Sequence, residues 1–313
     1  MNNASLPVEK SEILFLYEST YSIPNGDPFT GEQRYDEETK RVLVSDVRIK
    51  RFIRDHLYDT GIDIYVRNDR TSVKAVKEGK EGDAESGAAA RLASLEKERP
   101  KASSHELLTS LIDVRLFGGI STKKGDAINL TGPVQFALLN PSLNAVDLRM
   151  HQNTSVFASR TDNTRGAIGT TTVVPYALMQ IHGWVNPFAA RHTDLAPGDL
   201  VRMFRALWDS INNANTRSKS NQSSLLLIQV VYTEANKKLY GLDRAIQIAP
   251  ADNRREEQIR SRDDYELSLS LLNTLTQKSE SVKEVRYHTE DSSLARELGE
   301  FTKFKAMDIA GRE

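Results

Sequence analysis

The chain has 313 residues, 39% hydrophobic and 27% charged, with a formal net charge of -1 at pH 7. That is enough apolar material for a sizeable core in one large domain or two. The absence of cysteine excludes disulfides and thiolate metal sites, and the near-neutral charge confines any polyanion site to a local patch.

Residues 1–10 read as a frayed start without the charged-then-apolar pattern of a signal peptide. No apolar run approaches the roughly 20 residues that a membrane helix needs. These features predict a soluble cytoplasmic protein. The first strand falls in the apolar run Glu12-Ile-Leu-Phe-Leu-Tyr-Glu. Pro24 to Pro28 is dense turn sequence in which Gly26 can take a positive φ. After a charged loop, Ser45 is placed as the N-cap of a helix, with Asp46 on the positive end of its dipole. Ile49, Phe52, Ile53 and Leu57 form the apolar stripe of that helix. Lys50, Arg51 and Arg54 lie beside the stripe within a narrow arc. Two readings stay open there: a solvated basic edge, or a helix edge that holds a phosphate chain.

Gly61 to Arg67 reads as a second strand. From Thr71 to Ser104 the chain is rich in Lys, Glu, Ala, Gly and Ser, which predicts a mobile or helical surface insertion that buries little. Helical periodicity returns over His105 to Val114 and runs into Arg115-Leu-Phe-Gly-Gly, where Gly118 and Gly119 let backbone approach something closely. Asp126 to Leu139 is strand-like but interrupted at Gly132-Pro133, so the strand lies at an edge or carries a bulge. Asp147 to Thr172 is polar and contains Arg149, Arg160 and Arg165; its length and turn chemistry suggest a projecting hairpin. Thr172 to Val185 is a strong strand. Pro197-Gly-Asp opens a helix with Asp199 as its cap and Leu200, Met203, Phe204, Leu207, Trp208 and Ile211 on one stripe. Leu225 to Tyr232 is a buried strand, and the remainder holds a short strand near Arg244 to Ile248 and two charged helices. The order strand, helix, strand, insertions, strand, helix, strand is the split βαβ plan, whose bare sheet face is a frequent RNA platform.

The six histidines, at 56, 105, 151, 182, 192 and 288, show no metal-ligand spacing, and no phosphate-loop or dinucleotide fingerprint occurs. Trp208 reads as core. Met150 and Phe157 in the hairpin are candidates for wedging between bases, and His151 for an RNA contact.

Four motifs in order, Ile23-Pro-Asn-Gly-Asp-Pro, Ser45-Asp-Val-Arg-Ile-Lys-Arg, Asp113-Val-Arg-Leu-Phe-Gly and Thr131-Gly-Pro-Val-Gln-Phe, resemble the backbone subunit of type I CRISPR Cascade complexes. The type I-B version is the nearest in pattern. The resemblance covers about Glu12 to Ile248 and implies an α+β fold, a modified ferredoxin-like or RNA-recognition-motif palm with fingers, web and thumb. It implies one such domain over residues 1–313, with residues 71–104 as an insertion, 147–172 as the thumb and 251–313 as a charged helical C-terminal region. Copies would polymerise head to tail along a CRISPR RNA, with other Cascade subunits at the filament ends and belly, and present the guide to target DNA without cofactor, metal or catalysis. Position by position, Asn25, Gly26, Lys50, Arg51, Arg54, Gly118, Gly119, Thr131, Gly132 and Gln135 would grip RNA phosphates. Arg149, Met150, Arg160 and Arg165 would belong to the thumb.

Backbone subunits of type III complexes cut target RNA with an acidic residue in the loop before the first helix. Asp27 occupies that loop here and Asp36 is a second candidate, so a guide-directed ribonuclease is the alternative. The bland reading of Asp27 is a turn residue whose carboxylate caps backbone amides. A small-ligand or protein-interaction domain without an RNA role is the third reading. The RNA-binding reading predicts that Lys50→Glu with Arg54→Glu weakens RNA binding and flattens its salt dependence.

Overall fold

The computed structural model describes residues 6–67, 88–121, 123–154 and 168–310. In chain order the elements are β1 (Ser11–Ser22), β2 (Tyr35–Asp36), β3 (Arg41–Ser45), α1 (Asp46–Asp59), α2 (Ala88–Glu98), α3 (Ser104–Thr109) and α4 (Ile112–Phe117). They continue with β4 (Gly118–Ser121), β5 (Ile128–Thr131), β6 (Val134–Phe136), β7 (Leu139–Ala145), β8 (Arg149–Thr154), β9 (Ile168–Val185), α5 (Pro187–Thr193) and α6 (Pro197–Asn212). The last are β10 (Gln222–Tyr232), β11 (Gln247–Pro250), β12 (Tyr265–Ser268), α7 (Ser270–Lys278), β13 (Val282–His288), α8 (Ser292–Gly299) and β14 (Phe304–Ala306). No helix among the described residues is long and apolar enough to cross a membrane.

The main sheet runs β14-β13-β10-β1-β9-β7-β3-β2, and β6 and β8 also pair with β9. β1 is antiparallel to both neighbours, with Phe15 opposite Leu227 on one side and Ile181 on the other. β1 is apolar on both faces and therefore needs cover twice. Ile13, Phe15 and Tyr17 share a core with the α1 stripe and with Met203, Phe204, Leu207 and Trp208 of α6. Leu14 and Leu16 join a second core with Ile228 and Val230 of β10 and with Leu242, Ile246, Leu272, Leu294 and Phe304 of the C-terminal region. The bare sheet face expected of the split βαβ plan is thus absent over β1 and β10. The continuous apolar runs that mark these strands cannot face water on either side.

The C-terminal region is accordingly more than charged helices. β13 and β14 extend the main sheet beyond β10, and β11 and β12 form a separate hairpin. A register shift between Val282 and Glu284, opposite Tyr232 and Val231, breaks the alternation of β13 and hides it from a period-two reading. Gly61 to Arg67 is not a strand. The backbone N–H groups of Tyr65 and Val66 donate to the Asp113 carboxylate (2.7 and 3.1 Å) instead of to a ladder. Residues 71–87 of the expected insertion lie outside the described residues. Residues 88–98 are helical, and Leu92 and Leu95 are buried in a third, small core with Leu107, Leu108, Leu111 and Val114. This tail of the insertion buries more than its composition implies.

The stripe of α6 is buried throughout, as its spacing predicts. Its start differs in detail: Ala196 is the N-cap, and Asp199, one turn in, accepts from the Ala196 N–H at 3.1 Å. Both Asp199 oxygens also accept from Arg115, at 2.8 Å each. Burial works to raise the Asp199 pKa, but the bonds from Arg115 and Ala196 outweigh it and hold the carboxyl below its ordinary value. A carboxylate depressed in the folded state stabilises fully above its unfolded pKa of about 4 and loses that contribution as pH falls through the folded value. Asp199→Asn is therefore expected to lower stability at neutral pH and to shrink the further loss between about pH 6 and about pH 3. Urea titrations at both pH values read this out; wild-type acid sensitivity in the variant would remove Asp199 from the acid limb.

Candidate nucleic-acid interface

The expected palm residues divide into a buried frame and a small exposed rim. Asn25 is 7% exposed, and its Oδ1 accepts from both the backbone N–H and the hydroxyl of Ser45, at 2.8 Å each. Ser45 stands at the N-cap of α1 but makes no side-chain bond to the helix, because Asn25 takes its hydroxyl. The Asn25 N–H donates to Gln33 Oε1 at 2.9 Å, and Gly26 bridges Gln33. These bonds fix the turn against the start of α1. Within it, Asp27 Oδ1 accepts from Phe29 and Thr30 N–H (2.9 and 3.3 Å), and Oδ2 pairs with Arg34 at 3.2 Å. The two backbone bonds hold the Asp27 carboxyl below its ordinary pKa. This is the turn-capping role expected of it. Asp36 likewise accepts from Thr39 Oγ1 (2.7 Å) and Glu38 N–H (3.1 Å) in the next turn.

The basic edge of α1 is balanced by acids. Lys50 Nζ donates to Asp46 at 3.3 Å and to Gln135 Oε1 at 2.9 Å. Arg51 pairs with Asp55 at 2.5 Å, one turn on. Arg54 Nε donates to Asp113 Oδ2 at 3.0 Å, and its guanidinium lies 5.1 Å from the centre of the Phe117 ring. The side chains of Lys50, Arg51 and Arg54 are only 13%, 25% and 14% exposed, each held by a carboxylate. Arg54 is clamped to buried Asp113. Lys50 and Arg51 have surface carboxylate partners that a phosphate could displace.

Gly118 and Gly119 do give close approach, but to the chain itself. Gly118, at φ +84, faces Thr131 across the β4–β5 ladder, and a Cβ there would lie 2.1 Å from the Leu130 oxygen. A Cβ on Gly132 would lie 2.0 Å from the Phe117 carbonyl carbon. The two motifs cross backbone to backbone. Thr131 is exposed beside that crossing, and Gln135 Nε2 donates to the Gly132 oxygen at 2.9 Å while its Oε1 holds Lys50. Lys50, Gln135, Thr131 and Gly118 therefore converge over buried Gly132 on one rim, of which Thr131 is the exposed part and to which Asn25 and Gly26 connect through Ser45 and Asp46.

Arg149, Met150 and His151 are all exposed, Met150 at 72%, on a separate two-stranded arm in which β8 runs against β9 from Arg149–Val173 to Thr154–Ile168. Phe157, Arg160 and Arg165 lie outside the described residues. Sequence reading quoted Asp113 and Arg115 within a motif but gave neither a role; they hold α4 to α1 and α6, and a charged pair within an apolar helical run was the available signal. Among the described residues no three His, Asp or Glu side chains form a group able to hold a metal ion.

Residues 9–270 match the family CRISPR-associated protein Cas7. The chain belongs to that family. A curated CRISPR-associated protein Cas7 from Haloferax volcanii is 27% identical over 321 residues, covering 94% of this chain and 91% of that protein. Among solved structures, a chain of a "CRISPR RNA-guided surveillance complex, pre-nicking" superposes with a TM-score of 0.55 at 16% identity, covering 96% of this chain and 97% of that one. A chain of a "CRISPR RNA-guided surveillance complex" gives a TM-score of 0.54 at 13% identity, covering 96% of both chains. The mixed α+β architecture around a large central sheet is thus the fold of those chains. The Asp113 to Gly118 and Thr131 to Gln135 stretches fall inside the matched region, and in this Cas7 family member they meet at the crossing of Gly118 and Gly132.

Proposed function

We propose that this protein is a CRISPR RNA-binding backbone subunit of a type I, I-B-like surveillance complex. It oligomerises head to tail along the guide, presents it for pairing with target DNA, acts in the cytoplasm and performs no catalysis itself. The match to the Cas7 family across residues 9–270 carries this reading. The order β10-β1-β9-β6, with α1 and α6 packed together over one face, supports a ferredoxin-like palm. In this reading Lys50, Arg51, Gln135 and the backbone at Gly118, Gly119, Thr131 and Gly132 contact guide phosphates, which leaves sequence reading to base pairing. The β8–β9 arm, with Arg149 and Met150, acts as the thumb.

The competing ribonuclease reading needs Asp27 for catalysis, whereas its carboxylate is taken up by two backbone amides and Arg34. Arg54 is unsuited to a binding test because its replacement by glutamate sets a second carboxylate against buried Asp113. Lys50→Glu with Arg51→Glu is the better pair. It is expected to weaken guide RNA binding and to make the slope of log affinity against log salt shallower by about 1.4, for two lost phosphate contacts on a single strand. Anisotropy titrations across salt measure this, and wild-type affinity and slope would remove these residues from the interface. In the same preparation with magnesium, target RNA is expected to stay intact; evenly spaced cuts would make Asp27 a catalyst.

A further inference from the structure

A second basic and aromatic surface lies around the edge of the sheet from the rim. β1, β9 and the segment from Lys238 to Arg244 enclose a cavity of about 410 Å³. Glu12, fully buried in its wall, accepts from His182 Nε2 (2.8 Å), Trp184 Nε1 (3.0 Å) and Tyr232 OH (2.5 Å). Its charge reaches Lys238, but its oxygens are occupied by those three donors. At the mouth, Lys238 Nζ lies 5.4 Å from the Trp184 ring centre and the Arg244 guanidinium 5.2 Å from that of Tyr240. Both cations are exposed, and neither has a carboxylate ion pair among the described residues.

Tyr240 is 86% exposed although its turn is rigidly anchored. Leu239 and Leu242 on either side are buried at 8% and 1%, and Gly241 takes φ +79 to make the bend. The Leu239 N–H donates to Tyr232 OH at 2.9 Å, and Gln180 Nε2 to the Asp243 oxygen at 2.6 Å. A large aromatic ring held in water by a pinned turn, with a guanidinium on it and a second cation nearby, is a stacking platform without its partner. The platform is continuous with the rim: Trp184 pairs with Gln135 in the β6–β9 register, and Gln135 holds Lys50.

We infer that the cavity edged by Lys238, Tyr240 and Arg244, with Trp184 beside Lys238, is a second contact for single-stranded RNA, with one unstacked base on Tyr240 and flanking phosphates on Lys238 and Arg244. The inference rests on the RNA-binding reading above and extends its track past Gln135. An acidic polypeptide would use the two cations but not the exposed ring, which favours RNA.

The test uses the purified full chain and a labelled, guide-length single-stranded RNA, titrated by anisotropy at several salt concentrations. Tyr240→Ala is expected to weaken binding about 5- to 160-fold, the range for loss of one stacked base, while Tyr240→Phe stays near wild type. Lys238→Ala with Arg244→Ala is expected to make the salt slope shallower by about 1.4. The chain has 2 tryptophans. Trp208 is buried at 2%, so RNA-dependent quenching of indole emission should vanish in Trp184→Phe. Wild-type RNA binding that all these variants retain, with unchanged emission, overturns the second contact and leaves the first reading intact. Absence of RNA binding by the wild type overturns both. Variants that bind RNA normally but lose binding to polyglutamate make this surface a protein-docking site and also overturn the inference.

Discussion

Replacing Asp113 by alanine is expected to cost about 3–5 kcal/mol of folding stability, the range for removing one partner of a buried ion pair. Asp113 is fully buried and serves three donors: Arg54 Nε at 3.0 Å, Tyr65 N–H at 2.7 Å and Val66 N–H at 3.1 Å. Alanine leaves a half-buried guanidinium and two backbone donors without their acceptor. The loss spreads to three elements because Asp113 sits on α4, Arg54 on α1, and Tyr65 in the segment after α1. Urea unfolding gives the magnitude, and hydrogen exchange at Tyr65 and Val66 gives the place: both amides should lose protection before the rest of the sheet. A cost under about 1 kcal/mol would mean that water replaces the carboxylate without penalty, against the usual cost of an unmet buried group. Arg54→Glu should be as damaging as Asp113→Ala, since it brings a second carboxylate to the same buried place. A loss of RNA binding in that variant would thus report unfolding rather than a lost phosphate contact.

The second large effect is expected at the crossing of Gly118 and Gly132. Gly118 and Gly125 share the same φ of +84, yet a Cβ on Gly118 would meet the Leu130 oxygen at 2.1 Å and one on Gly125 would meet nothing within 4 Å. Gly125→Ala should therefore show only the left-handed backbone penalty, about 1–2 kcal/mol. Gly118→Ala adds overpacking against backbone, a further cost of about 3 kcal/mol. Gly132→Ala should match it without any backbone penalty, because its clash is with the Phe117 carbonyl carbon at 2.0 Å. Thermal unfolding of the three variants separates these contributions. Equal midpoints for Gly118→Ala and Gly125→Ala would show that the two segments part easily there. If they do not part, the glycines in these motifs serve the crossing first, and any ligand meets a backbone shape that the crossing sets.

The sequence by itself determined the elements whose side chains follow one period. The stripes Ile49, Phe52, Ile53, Leu57 and Leu200 to Ile211 are buried as spaced. The apolar runs of β1 and β10 are strands because a short run that is apolar at nearly every position needs cover on both faces. The interruption at Gly132-Pro133 was also legible, since proline cannot donate within a ladder. Polar residues pointing inward defeated the same logic. β7 buries Asn140, Ser142 and Asn144 at 1%, 3% and 1%, where they bond backbone such as Val44 O (3.1 Å) and Tyr176 O (3.2 Å), so its pattern reads as loop. A bulge hid β13, and a carboxylate far along the chain took the amides of an expected strand at Tyr65 and Val66.

For the site, composition placed the bases of α1 but not their partners. Asp46 and Asp55 pair with Lys50 and Arg51 one turn along α1, but Arg54 meets Asp113 from 59 residues away and Lys50 also meets Gln135 from 85 residues away. The motif residues that mark the family were visible as letters, and only the tertiary structure shows which of them carry the frame and which reach the rim. Local spacing fixes a helix or a strand because its contacts are a few residues apart. A charge's role is decided by its nearest opposite charge in space, and folding brings that from anywhere in the chain.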